Sequence, residues 1–184
     1  ITVAQVDTLT DAQVQALGTV LANFNTAAIA SLDSTQVAAL TLSQVMALDV
    51  ADVAAITNVA FAGLSPAQVT QLTTAQFDTL GTDDLQALTS DAITGVTVAQ
   101  IATLSTADIV ALGTDIANLT TAAIAALTSE QVAALTINQI NAFDDADIMA
   151  LSSVGMAGLT ALQVDEFDHV DIVALGTDIA NMNT

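Results

Sequence analysis

The chain has 184 residues, a formal net charge of −20 and a single histidine, and it contains no lysine, arginine, cysteine, tryptophan or tyrosine. The lack of cationic side chains excludes the usual chemistry of nucleic-acid binding and of polybasic attachment to anionic lipid. The lack of cysteine excludes disulfides, thiolate catalysis and thiolate metal sites.

Hydrophobic residues make up 53% of the chain, but polar residues interrupt them every few positions. No stretch therefore approaches the roughly 18–20 apolar residues of a membrane-spanning helix. We expect no membrane insertion. Because the sequence starts at Ile1 and shows no signal peptide, we also expect a mature or excised segment.

An eight-residue repeat, the octad, runs along the chain. It reads TVAQVDTL (2–9), TDAQVQAL (10–17), NTAAIASL (25–32), DSTQVAAL (33–40), TLSQVMAL (41–48), SPAQVTQL (65–72) and TTAQFDTL (73–80), and it continues with TVAQIATL (97–104), STADIVAL (105–112) and TSEQVAAL (128–135). Position one is mostly Thr, Ser, Asp or Gly, position four is commonly Gln or Asp, and positions five and eight are apolar.

This spacing predicts one short helix per octad. Apolar residues three positions apart fit a helical face, whereas a strand would alternate with period two. A continuous helix is excluded, because its apolar stripe would rotate by about 80° in every octad. Thr, Ser or Asp at position one is a preferred N-cap, and Gln or Asp three residues later completes a capping box.

Such a helix cannot be stable alone, because two buried side chains do not offset the conformational entropy of eight ordered residues. Neighbouring octads must therefore share a core. The sequence predicts an all-α fold, an α-solenoid or superhelix of very short capped helices, one per eight-residue repeat.

A longer repeat lies above the octad, since residues 18–72 align without gaps to residues 113–167, an offset of 95 residues. We predict two repeat modules, 1–95 and 96–184, the second an incomplete copy of the first. Each contains one seven-residue segment, GTVLANF (18–24) or GTDIANL (113–119), where we expect a bend or a correction of the repeat phase.

Small residues near these segments have expected backbone roles. Glycines at octad starts are predicted to end the preceding helix in the left-handed conformation: Gly18, Gly81, Gly113 and Gly176. Asparagines of the same segments are predicted to hydrogen-bond the corner backbone: Asn23, Asn118 and Asn181.

Most acidic residues fall in positions one to four of their octad, the exceptions being Asp7, Asp78, Asp165 and Glu166. Carboxylates there stabilise the partial positive charge of a helix N-terminus. The alternative interpretation is calcium binding between adjacent corners, although the spacing matches no EF-hand loop. The candidate calcium ligands are Asp144, Asp145, Asp147, Asp165, Glu166, Asp168 and Asp171.

The pattern contains no convergent acid, base and nucleophile, so we expect no enzyme and no cofactor apart from this calcium hypothesis. The lone histidine, His169, is expected on the surface, because it has no second histidine or thiol to form a site with.

The segments LTTAQFDTL (72–80) and LTSEQVAAL (127–135) resemble the octad-repeat tracts of very large secreted bacterial surface proteins, including RTX-type adhesins. The resemblance covers nearly the whole chain, although the glycine-rich calcium motif GGxGxD is absent. It implies export by a type I route to the bacterial cell surface, and assembly there as a filament, stalk or layer.

Two functions from different classes follow. The first is a structural repeat protein, extracellular and self-associating, that builds a filament, stalk or surface layer. The alternative is a binding module or adhesin extender that contacts calcium, a glycan or ice through its regularly spaced threonines.

Overall fold

A computed structural model describes residues 1–175 and Ala180 of the chain. The described residues are helices joined by short turns and form no strand, so the predicted all-α fold of short helices is confirmed. The chain divides into two compact units, Ile1–Gly95 and Val96–Thr184.

Unit 1 contains α1 (Val3–Val6), α2 (Asp11–Ala16), a 3₁₀ helix (Gly18–Asn23), α3 (Thr26–Ile29), α4 (Ser34–Ala39), α5 (Leu42–Ala47), α6 (Val50–Ala55), α7 (Asn58–Phe61), α8 (Pro66–Gln71), α9 (Thr74–Phe77), α10 (Thr82–Ala87) and α11 (Ser90–Ile93). Unit 2 contains α12 (Val98–Ile101), α13 (Thr106–Ala111), a 3₁₀ helix (Gly113–Asn118), α14 (Thr121–Ala125), α15 (Ser129–Ala134), α16 (Ile137–Ile140), α17 (Asp145–Ala150), α18 (Ser153–Met156), α19 (Ala161–Val164) and α20 (His169–Leu175).

Helix starts follow the predicted capping box. At α5, the backbone N–H of Gln44 donates to Thr41 Oγ1 at 3.3 Å, and the N–H of Thr41 donates to Gln44 Oε1 at 2.9 Å. At α8, Ser65 is the N-cap and Pro66 occupies the first helical turn, where its missing N–H costs nothing. At these octad starts the N-cap residue therefore begins a new helix.

Two apolar side chains per octad form the core of each unit. In the octad 33–40, Val37 at position five is 0% exposed and Leu40 at position eight is 4% exposed. The larger side chains Phe61 and Phe77, both at position five, are equally buried. The apolar spacing of the octad therefore points both side chains inward.

Within each unit, helices three elements apart in the chain lie side by side, when the 3₁₀ helices are counted as elements. Unit 1 pairs α4 with α7 and α5 with α8, and unit 2 pairs α14 with α17 and α15 with α18. Each unit is thus an α-solenoid in which successive coils of the chain complete one another's core.

The seven-residue segments differ from the octads in backbone. Both form 3₁₀ helices, and each begins with a left-handed glycine, Gly18 at φ 54° and Gly113 at φ 55°. The prediction for Gly81 is wrong, because its φ is −77°. The preceding helix, α9, has already ended at Phe77, so Gly81 serves as the N-cap of α10 and not as a helix end. Gly176 lies outside the described residues.

The predicted asparagine bond is present in one of these segments. Asn118 Nδ2 donates to the backbone oxygen of Asp115 at 3.2 Å. Asn23, at the equivalent place, is exposed and makes no such bond within the described chain. Asn181 lies outside the described residues.

No helix in the described part of the chain is long and apolar enough to cross a membrane. The prediction that His169 is a surface residue is confirmed, because its side chain is exposed at the start of α20.

Candidate functional site

The most distinctive polar feature of the structure is the glutamine at position four of the octad. Gln36 is 3% exposed, and its Oε1 accepts a hydrogen bond from the backbone N–H of Asp33 at 3.0 Å. Its Nε2 donates to the backbone oxygens of Val6 and Leu9, each at 2.9 Å. One side chain therefore caps its own helix and also binds a stretch of chain 30 residues earlier.

The same double role recurs in both units. In unit 1, Gln68 Nε2 donates to the oxygens of Val37 at 2.9 Å and Leu40 at 2.8 Å. In unit 2, Gln163 Nε2 donates to Val132 at 2.9 Å and Leu135 at 2.8 Å. The further members of this set, which we call the glutamine ladder, are Gln44, Gln76, Gln131 and Gln139.

The ladder links each coil to the coil before it, a coil being the roughly 30 residues that separate a glutamine from its acceptors. Most acceptors are the carbonyls at positions five and eight, at the end of a short helix. Gln44 and Gln139 instead use position five and the glycine that follows position eight, Gly18 or Gly113. No buried side-chain nitrogen or oxygen in the described residues is without a hydrogen bond. A buried bond of this kind contributes about 1 kcal/mol, and losing its donor costs more because the acceptor stays buried.

Sequence reasoning assigned these glutamines to capping alone and missed their second bond. A signal for it exists, because position four is small in every fourth repeat: Ala28, Ala60 and Ala92 lie 32 residues apart. Ala123 and Gly155 repeat this spacing in unit 2. The period of four repeats corresponds to the stacking of coils, which the octad alone does not reveal.

In three of the octads with a small residue at position four, a glycine at position seven lets the backbones of two coils meet directly. Gly63 packs so closely on α4 that an added Cβ would lie 1.9 Å from the backbone oxygen of Ser34. Gly95 approaches Pro66 in the same way, and Gly158 approaches Ser129. Only a residue without a side chain fits these three places.

A third class of octad carries aspartate at position four. Asp52 is 3% exposed and Asp147 is 7% exposed, and burial raises the pKa of both carboxyls. Burial likewise raises the pKa of Asp84. Each carboxylate accepts a backbone hydrogen bond at its own cap, as when Asp144 N–H donates to Asp147 Oδ2 at 3.2 Å. An ionised carboxylate has no proton to donate, so these octads contribute no rung to the ladder.

At an exposed cap carboxylate, Asp33, the pKa is lowered and not raised. The backbone N–H of Gln36 donates to Asp33 Oδ1 at 2.8 Å, and Thr35 Oγ1 donates to the same oxygen at 2.7 Å. These bonds lower the pKa of Asp33. The acidic residues at helix starts therefore satisfy N-terminal donors, as their sequence positions predict.

The candidate calcium ligands are distributed over three helices and their caps. The Asp144 carboxylate accepts the backbone N–H of Asp147 at the start of α17, and the Asp168 carboxylate accepts that of Asp171 at the start of α20. Glu166 accepts a hydrogen bond from Asn141 Nδ2 at 3.2 Å. Asp145 and Asp165 are exposed. Within the described chain, no group of three or more acidic or histidine side chains is arranged to hold a metal ion.

A shallow groove lies between α7 and α10 and is lined by Thr57, Asn58, Gly81, Thr82, Asp83 and Asp84. The Asp84 carboxylate is already occupied, because it accepts from the N–H of Gly81 at 3.0 Å. The lining belongs to the capped corners described above.

A family model described as the ALTTAQ repeat matches residues 113–145. The matched segment runs from the second 3₁₀ helix to the start of α17, which is about one coil of unit 2. No curated protein matches the chain. The chain thus contains a repeat tract similar to the ALTTAQ repeat.

Proposed function

We propose that this chain is a structural repeat protein that self-associates into an extracellular filament, stalk or surface layer on a bacterial cell. The observation that carries the proposal is the glutamine ladder, in which Gln36 in unit 1 and Gln131 in unit 2 bind the preceding coil in the same way. The acceptors are backbone oxygens, which every coil presents whatever its side chains. Such a contact can be repeated without limit along a stack.

The chemistry of the side chains also supports a structural role. Carboxylates and hydroxyls at helix starts are used as caps, and the buried amides are used between coils. The resemblance of the octads to surface-protein repeat tracts supports the extracellular location, and the absence of lysine and arginine removes every tryptic cleavage site.

Electron microscopy of the purified chain tests this proposal. Negative-stain images over a range of protein concentrations should show rods or fibres longer than one molecule, and light scattering should report a mass that rises with concentration. Addition and chelation of calcium in parallel samples separates ion-dependent from ion-independent association. Isolated monomers under all of these conditions would contradict the proposal.

The second candidate function is a binding module or adhesin extender that contacts a glycan or ice. It is favoured by the exposure of the threonines at position one, including Thr41, Thr73 and Thr136. Their hydroxyls already accept backbone hydrogen bonds within the caps. A glycan array and a thermal hysteresis measurement test it, and a positive result in either assay would favour this function over an inert scaffold.

A further inference from the structure

Two octads of unit 1 have aspartate at position four and therefore lack the amide that joins other octads to the preceding coil. They are the octads 49–56 and 81–88, which we call the aspartate octads, with Asp52 and Asp84 at this position. Asp52 is 3% exposed and Asp84 is half-buried. Each carboxylate accepts the backbone N–H of its own N-cap residue, Asp49 at 3.2 Å or Gly81 at 3.0 Å. Within the described chain, neither carboxylate is hydrogen-bonded to the preceding coil.

The acceptors that a ladder bond would use are present in the preceding coil. Gln68 binds the carbonyls at positions five and eight that lie 31 and 28 residues earlier. The same separations lead from Asp84 to Val53 and Ile56 at the end of α6. The Val53 oxygen accepts the N–H of Ile56 at 3.2 Å, and a carbonyl oxygen has a second lone pair for another donor. The aspartate octad therefore faces acceptors to which it donates nothing.

A groove separates the two coils at this place. It encloses about 440 Å³ between the starts of α7 and α10, and Thr57 and Asp84 are among the residues that line it. Thr57 directly follows Ile56, so the groove lies beside the carbonyl end of α6. A ladder glutamine crosses from one coil to the next at the corresponding place. Aspartate is one methylene shorter than glutamine, so an aspartate octad must come closer to make the same bond.

Only acidic groups surround these carboxylates, because the chain has no lysine or arginine. Helix α6 packs on α3, which has no titratable residue, and on α9, whose one titratable neighbour is Asp78 at its C-terminal end. Helix α10 packs on α7, which also has none. Burial, together with the neighbouring charge of Asp49 or Asp83, raises the pKa of Asp52 and of Asp84.

We propose that the aspartate octads form a pH-controlled seam between the coils of unit 1. A protonated carboxyl group has an O–H that can donate to a carbonyl oxygen as a glutamine amide does, whereas an ionised carboxylate has no donor. Proton uptake by Asp52 and Asp84 draws each aspartate octad onto the preceding coil and narrows the groove, and ionisation separates them again. The seam is a property of unit 1 by itself, so it goes beyond the proposed self-association and does not depend on it.

The stability of unit 1 follows these two protons. The native state holds them more tightly than the unfolded chain does, so the contribution of the seam is complete below the ordinary pKa of an aspartate and is lost as the pH rises through the raised pKa. Asp33 and Glu130 have the opposite dependence, because hydrogen bonds lower the pKa of each. The seam is therefore measured as a difference between variants and the original chain at each pH.

The double substitution Asp52→Asn and Asp84→Asn removes the ionisation and keeps the length of both side chains. At about pH 7 the equilibrium constant of unfolding should fall roughly fivefold for each site relative to the original chain. The two chains should converge at about pH 3, where the aspartates are protonated. Urea denaturation followed by circular dichroism measures the constant at both pH values.

A second variant, Asp52→Gln with Asp84→Gln, supplies the long donor of the ladder at both places. Its amides are present at every pH, so the unfolding constant should be lower than that of the original chain at about pH 3 as well as at about pH 7. A glutamine variant that is no more stable than the original chain at either pH would overturn the ladder geometry of the seam.

The matched control is Asp11→Asn with Asp91→Asn, which removes the same two charges from exposed first-turn positions of unit 1. It should be slightly less stable than the original chain at about pH 7, because acids at helix starts are favourable. An equal gain in the control and in the asparagine variant would show that net charge alone governs stability and would overturn the seam. A gain of the asparagine variant that is the same at both pH values would overturn it too.

Native-state hydrogen exchange locates the effect in the full chain. At about pH 7 the amides of α6 and α10 should exchange roughly fivefold more slowly in the asparagine variant than in the original chain, since the contact that shields them is closed. Unchanged exchange of both helices beside a changed unfolding constant would place the effect elsewhere and overturn the seam.

Discussion

The neighbouring octads 57–64 and 65–72 contact the same helix, α4, in different ways. The second octad reaches the C-terminal end of α4 through Gln68, whose amide donates to Val37 and Leu40. The first octad has Ala60 in the glutamine position and reaches the N-terminal end of α4 through Gly63, whose backbone packs on Ser34. Unit 2 repeats the arrangement on α15 with Gln163 and Gly158.

The difference shows that the octad has two separable tasks. Capping and the apolar pair make each octad a short helix, whereas position four and position seven determine how that helix meets the preceding coil. At the C-terminal end of α4, the long side chain of Gln68 spans the space between the two coils. At its N-terminal end, Gly63 has no side chain, so the two backbones are in direct contact. A substitution that removes the amide donor at one place, or adds a side chain at the other, should therefore lower the free energy of unfolding, even where the octad consensus allows the new residue.

The largest effect is expected from Gln68→Glu. At neutral pH the carboxylate would face the buried oxygens of Val37 and Leu40, and we expect a loss of about 3–5 kcal/mol in the free energy of unfolding. Urea denaturation followed by circular dichroism measures it. The exposed Gln86→Glu is the control and should change stability by less than about 0.5 kcal/mol. Equal stability of the two variants would contradict the inter-coil role of Gln68.

The backbone contact of the other octad is tested by Gly63→Ser. A Cβ there would meet the Ser34 oxygen, so the coils must move apart at a cost of about 2–3 kcal/mol. The same substitution at Gly81 meets only Asp84 Oδ2 at 3.8 Å and supplies an N-cap hydroxyl. Gly81→Ser should therefore gain a few tenths of a kcal/mol. Thermal melts of the pair measure the contrast, and a destabilised Gly81→Ser would speak against its cap role.

A smaller effect with the opposite sign is expected from Asp147→Asn. Burial raises the pKa of Asp147, so the native state binds its proton more tightly than the unfolded chain does, and stability falls as the pH rises through that window. The amide carries no charge and can still accept from Asp144 N–H. We expect a gain of about 1 kcal/mol at neutral pH that disappears once the pH falls below the ordinary pKa of an aspartate.

Asp145→Asn controls for net charge in the same helix, because Asp145 is exposed at the first helical position. It should lose a few tenths of a kcal/mol, since it removes a favourable charge from the helix N-terminus. Unfolding curves at several pH values decide the comparison, and a pH-independent gain for Asp147→Asn would exclude buried ionisation as its cause.

The features that the sequence predicts correctly are those that depend on local interactions. The caps, the helix in each octad and the inward direction of residues such as Val37 and Leu40 depend on groups within a few positions of one another. The missing residue of the segment at Gly18 also marks a local departure from the octad, although the sequence did not predict that it forms a 3₁₀ helix. Gly81 is the instructive error, because whether a glycine ends one helix or starts the next depends on the conformation of the chain before it.

The sequence by itself thus determined that the chain breaks into short capped helices and that they must share a core. Only the tertiary structure decided which octads meet, and with them the roles of Gln36, Gly63 and Asp147. The physical reason is distance: a capping bond spans three residues, whereas a ladder bond joins atoms 30 residues apart, and its partner is a backbone oxygen that no side-chain pattern marks.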